Sequence, residues 1–154
     1  MSFRTARNIE LSILDYLTTQ IEANWSSISI VKSFIKAYKE PLPVICARLF
    51  SFPPDRLEIG GNELLYDYNI IIDIFANSEG QKLDLADFIV DKLKDGCTFY
   101  EFSQTSGAPE TLTKVADGLL HVKDFISNMS LDFGEDSDKY DQHRHFLSFN
   151  IRKN

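Results

Sequence analysis

His143 and His145 stand two residues apart, with Asp141 just ahead of them. On a strand that spacing puts both imidazoles on one face, and with the carboxylate they would make a metal-ligand set. They follow an acidic stretch, and no cysteine or third histidine is near in sequence. Side chains at the base of a solvated hairpin are the better reading. The run Asp132, Glu135, Asp136, Asp138 and Asp141 invites calcium. It lacks the D-x-D-x-D-G spacing and the closing glutamate of an EF-hand loop, so it reads as a solvated acidic loop. Gly60-Gly61 is followed by neither a helix nor a Lys-Ser/Thr pair, which removes a phosphate loop. His121 stands alone, and no G-x-S-x-G or H-E-x-x-H occurs. Cys46 and Cys97 are the only cysteines and form no C-x-x-C. Both read as small buried hydrophobes rather than nucleophiles or a disulfide. The expectation is a protein without catalysis, cofactor or bound metal.

The chain must then act through surfaces. At 154 residues it reads as a single domain over 1–154, long enough to bury its own core. Hydrophobic content of 44% and charged content of 25% are ordinary for a folded protein. No apolar run approaches the roughly 20 residues that span a bilayer. Residues Met1 to Arg4 lack the apolar core of a secretion signal, so assembly in the cytoplasm is expected. A net charge of −7 argues against tight binding to nucleic-acid phosphates. It is compatible with a conduit that passes DNA without holding it. The lysines at 32, 36 and 39 are too few for a DNA-binding surface and read as a solvated connector.

The elements that would build such surfaces follow from periodicity. Asn8–Asn24 reads as a helix: Ile9, Ile13, Leu17 and Ile21 recur every four residues, Leu14 and Tyr16 widen the stripe, and Asn8 suits the cap. Ile28–Phe34 reads as a short strand and Ile35–Glu40 as a polar connector. Pro41 and Pro43 open a strand from Val44 to Phe52, and Asp55–Glu63 reads as an extended loop. Leu64–Ala76 alternates as one long strand. Tyr66, Tyr68, Ile70, Ile72 and Ile74 point one way. The opposite face carries Leu65, Asp67, Asn69, Ile71, Asp73 and Phe75, too apolar for solvent and too polar for a core. A turn at 77–80 leads to a helix over Lys82–Lys94, with Gly96 beyond its end. Thr98–Phe102 reads as a strand, Ser103–Glu110 as a loop and Thr111–Leu120 weakly as a helix. Asp124–Phe133 alternates, with Phe125, Ser127, Met129, Leu131 and Phe133 on one side. Arg144–Arg152 closes the chain as a strand. The sum is an α+β fold, a mainly antiparallel sheet with two main helices packed on one face.

The order of these segments resembles a known family. A leading helix (IELSILDYLTTQI), a Pro-started strand (LPVICARLF) and a long alternating strand (YDYNIIIDIFA) come first; a helix (LDLADFIVDKL) and a terminal strand (HFLSFNIRKN) follow. The chain is similar in this to tail-terminator and tail-completion proteins of long-tailed bacteriophages, the lambda-type minor tail protein and its head–tail joining relatives. The likeness runs from about Asn8 to the end and rests on order and pattern, without an invariant motif. It implies a structural virion protein at the head-proximal end of the tail, a homo-oligomer forming a hexameric ring. Such a ring caps the tail tube protein, stops its polymerisation and offers a docking surface to head connector or neck proteins. DNA passes through without specific binding, and no membrane is involved. The mixed strand face (Leu65, Asp67, Asn69, Ile71, Asp73, Phe75) is the candidate subunit interface. Asp55, Arg56 and Glu58, with Glu135, Asp136, Asp138 and Asp141, are candidates for tube, connector or lumen contact. The alternatives are a neck or head-completion protein on the portal side, and a monomeric adaptor that binds a partner strand.

Overall fold

The computed structural model describes residues 4–105, 111–134 and 137–154. In chain order the elements are α1 (Thr5–Asn24), β1 (Ser29–Val31), α2 (Phe34–Ala37), β2 (Val44–Ser51), β3 (Pro54–Arg56) and β4 (Leu64–Tyr66). They continue with β5 (Tyr68–Phe75), α3 (Glu79–Leu93), β6 (Cys97–Thr105), β7 (Thr111–Leu131) and β8 (Arg144–Lys153). Six strands form one sheet in the order β1-β2-β5-β8-β7-β6, and β3 pairs with β4 in a separate two-stranded arm. Every pairing is antiparallel except β1 with β2. This is an α+β fold, mostly antiparallel.

Helices α1 and α3 cover one face of the sheet. The four-residue repeat of α1 does what its spacing predicts: Ile9, Ile13, Leu17 and Ile21 are all buried. Leu85, Ala86, Ile89 and Leu93 of α3 join them over Ile70, Ile72, Ile74, Leu147, Phe149 and Ile151 of the central strands. The Tyr16 hydroxyl donates to the Lys92 carbonyl at 2.7 Å and ties the two helices together.

Helix α1 also bonds both sides of the curled sheet. Ser12 Oγ accepts from the Tyr100 amide at 3.0 Å, and Asn8 Oδ1 accepts from the Phe102 amide at 3.3 Å. Glu10 Oε2 accepts from the Leu49 amide of β2 at 2.9 Å. Side chains from one helix thus occupy the open edge of β6, which would otherwise offer bare amides to another chain. This corrects the reading of Asn8 as a cap: the helix starts earlier, at Thr5, and Asn8 is buried within it.

Several other boundaries differ from expectation for local reasons. Helix α3 begins at Glu79 because Ser78 Oγ accepts from the Gln81 amide at 3.2 Å while Gln81 Oε1 accepts from the Asn77 amide at 2.8 Å. That reciprocal pair is close to a capping box, and S-x-x-Q was its visible signal. The supposed connector after β1 contains α2, capped by Ser33 Oγ accepting from Lys36 N at 3.3 Å. The long strand breaks at Asp67, and Asp55–Glu63 is an arm whose two sides pair Pro54–Arg56 with Tyr66–Leu64. Thr111–Leu120 is strand, not helix. It pairs with β6, while Leu120–Leu131 of the same 21-residue strand pairs with β8. Ser103–Thr105, placed in a loop by sequence, end β6, and 106–110 lie outside the described residues.

Candidate functional site

The residues first singled out for chemistry are not gathered. His143 Nδ1 faces Glu79 Oε1 at 3.3 Å. His145 is buried, its Nε2 against Asn128 Oδ1 and its Nδ1 against Ser130 Oγ, rather than on a hairpin surface. Burial, and then the charge of nearby Lys82, push its pKa below the ordinary histidine value. Asp141 turns elsewhere and accepts from Tyr38 Oη and Arg144 Nη1, both at 3.2 Å. No group of three metal-ligating side chains occurs among the described residues. Burial pushes the Cys46 thiol up to about 11 and the Cys97 thiol up to about 12, so neither is a thiolate near neutrality. A groove of about 360 Å³ between α1 and β1 is lined by Ile21, Glu22, Ile28 and Glu40 among others, without histidine or cysteine.

The mixed face of the long strand divides in two. Asp67 and Asn69 remain half-buried, as does Leu65. Asp67 receives Arg152 Nε at 2.6 Å and Lys123 Nζ at 3.2 Å, and these bonds, Arg152's first, hold its carboxyl below the usual carboxylate range. Asn69 Nδ2 donates to Ser148 Oγ and Asn150 Oδ1, each at 3.2 Å. Ile71, Asp73 and Phe75 are buried within the same chain. Helix α2 and the turn carrying Tyr140 lie over Asp73 and Phe75, so Phe75 packs edge-on against Phe34, Tyr38 and Tyr140. This corrects the expectation that the whole face is open. The apolar content of LYDYNIIIDIFA was visible, but not that residues far off in sequence cover its second half.

Asp73 is the charged centre of that cover. Its Oδ1 accepts from Arg144 Nη2 at 3.1 Å, while its Oδ2 and Arg48 Nε, both buried, have no hydrogen-bond partner among the described residues. Burial raises the Asp73 pKa against the opposing pull of Arg144. The Arg144 guanidinium lies over the rings of Phe34, Phe75 and Phe133, 4.9 to 5.4 Å from their centroids.

Uncovered apolar surface among the described residues includes three regions. The arm carries exposed Phe52, Leu57, Ile59 and Leu64 beside exposed Asp55, Glu58 and Glu63. Its tip is closed by Arg56 Nη1 donating to the Gly61 carbonyl at 2.6 Å, and its base by a stack of Phe52, Tyr68 and Tyr66. Arg56 is therefore engaged within the arm.

The second surface is β7 itself. Beyond Leu120 no described strand lies on its side away from β8, and Ile126 and Met129 are exposed there. A register shift between Phe125 and Ser127 sets Phe125 on the side of Phe149, ring centroids 5.8 Å apart, while it stays partly exposed, so the five residues read as one row do not share a side.

The third lies over the Asp73 cover, where lysines and carboxylates are mixed. Ile35, Tyr38 and Phe133 are exposed there, near Lys36, Lys39 and Lys139. Of the acidic-loop candidates, Asp138 Oδ1 accepts from the Tyr140 amide at 3.0 Å and Asp141 serves Arg144, so both have internal partners. Glu135 and Asp136 lie outside the described residues.

No protein-family model matches the chain, and no curated protein is significantly similar to it.

Proposed function

We propose that the chain is a structural subunit that works by self-assembly, forming a ring that caps a phage tail tube, halts its growth and presents a docking surface to the head. The observation that carries this reading is the amount of apolar surface left uncovered. Leu57 and Ile59 at the tip of a braced arm, Ile126 and Met129 on an open strand and Ile35 on a helix are all exposed. Apolar groups concentrated on protruding elements mark protein contacts. The reading also draws on the resemblance seen in the order of the sequence segments. In this account no cofactor or catalytic residue takes part, and DNA crosses an acidic ring without specific binding.

Subunits in a ring meet through two different patches, each repeated around the axis. The half-buried residues Leu65, Asp67 and Asn69 at the base of the arm belong to that contact zone. Light scattering on size-exclusion peaks, with negative-stain images of each, tests the reading. Rings of about six subunits support it. Addition of tail tubes or DNA-filled heads then separates a terminator, which binds tube ends, from a neck protein, which prefers filled heads.

The open edge of β7 favours one other reading, a monomeric adaptor that captures an extended segment of a partner as a further strand. That reading requires a protein that never self-associates.

A further inference from the structure

We infer that the free edge of β1, with the groove beside it, takes an extended basic segment of a partner protein as an added strand. This contact is separate from the surfaces assigned to ring assembly. Three observations carry it.

The edge is open and has an apolar floor. Strand β1 is the outermost of the six and pairs only with β2. Among the described residues no strand lies on its far side, so its outward backbone groups are free for a further strand. The groove of about 360 Å³ between α1 and β1 lies along that edge. Ile21, Ile28 and Ile30 line it and belong to the core beneath the helices.

The charge that lines the groove has one sign. Glu22 and Glu40 both face it, and no lysine, arginine or histidine does. Neither carboxylate makes an ion pair with a described residue. Lys32 and Lys39, the nearest bases in sequence, are exposed and lie outside the lining. The last turn of α1 carries no base, so the negative end of that helix adds to the same field. Unpaired carboxylates over an apolar floor suit a cationic, partly apolar occupant.

The two carboxylates also flank the edge from opposite sides. Ile28 and Ile30 pack on the core beneath α1, whereas Val31 packs on the cluster around Phe75. Ser29 alternates with the two isoleucines, and its Oγ donates to Glu40 Oε2 at 3.4 Å. Glu40 therefore stands on the Phe75 side, and Glu22 on the helix side. Successive side chains of an added strand point to opposite faces, so two adjacent basic residues would meet one carboxylate each. A three-residue strand offers few ladder bonds, so these charges decide which segment is held.

The test is fluorescence anisotropy on the full chain. The probe is a short fluorescein-labelled peptide, rich in threonine and valine, with two adjacent lysines at its centre. A control peptide carries two glutamates there. The wild type should bind the lysine peptide at least about tenfold more tightly than the control, and less tightly as salt is raised. Glu22→Gln/Glu40→Gln removes the carboxylates, and Thr18→Lys sets a cation in the groove on a residue type that favours helix. Circular dichroism checks both folds. Each variant should lose at least about tenfold in affinity for the lysine peptide. Equal affinity for the two peptides overturns the site, as does lysine-peptide binding that both folded variants retain. A wild type that binds neither peptide overturns it too, and leaves the carboxylates as guards of a closed edge.

Discussion

Asp73 and Arg144 pair across β5 and β8 at 3.1 Å, beneath the rings of Phe34, Phe75 and Phe133. One charged pair thereby anchors the segments that close the second sheet face, the turn at Tyr140 through Asp141 and helix α2 through Phe34. The face that looks like an interface in sequence is in part an internal seam.

Asp73→Ala should cost about 3 kcal/mol of unfolding free energy, the low end for breaking a buried ion pair, because Asp141 still holds Arg144 Nη1. Phe75→Arg should abolish soluble protein, since its ring is fully buried. Urea denaturation checks the first and expression yield the second. Native stability in either variant would mean that the seam opens in solution.

The edge bonds of α1 give a second prediction. Ser12→Ala leaves the Tyr100 amide without its acceptor and should cost roughly 1–3 kcal/mol. Asn8→Ser should also destabilise. A serine caps a helix as well as an asparagine does, but it is too short to reach the Phe102 amide. Unchanged stability in Asn8→Ser would show that the bond to the Phe102 amide contributes little.

His145 gives the pH prediction. Burial lowers its folded pKa below the ordinary histidine value, so the unfolded chain binds the proton more readily. Its contribution to stability is complete above about pH 6.5 and is lost as pH falls toward the lowered folded value. Thermal midpoints should drop between pH 7 and pH 5. In His145→Gln that part of the slope should disappear, and an unchanged slope would assign it to other groups.

What the sequence discloses is mostly what neighbours along the chain decide. The repeat of Ile9, Ile13, Leu17 and Ile21 and the alternation of Tyr68, Ile70, Ile72 and Ile74 both mark buried faces, because each element presents one side to one core. Thr111–Leu120 misleads because Leu112, Val115 and Leu119 also fit a helical spacing, and only pairing with β6 settles the matter. The parallel β1–β2 pair, the shift that sets Phe125 beside Phe149 and the cover over Phe75 depend on residues distant in sequence.

The most direct test is the mass of the unmodified protein by light scattering across a wide concentration range, with negative-stain images of each peak. The account predicts a closed species of about six 17.6 kDa chains that appears in images as a ring and grows no further. A particle that remains at 17.6 kDa at every concentration contradicts it and favours the adaptor that takes a partner strand on the open edge of β7.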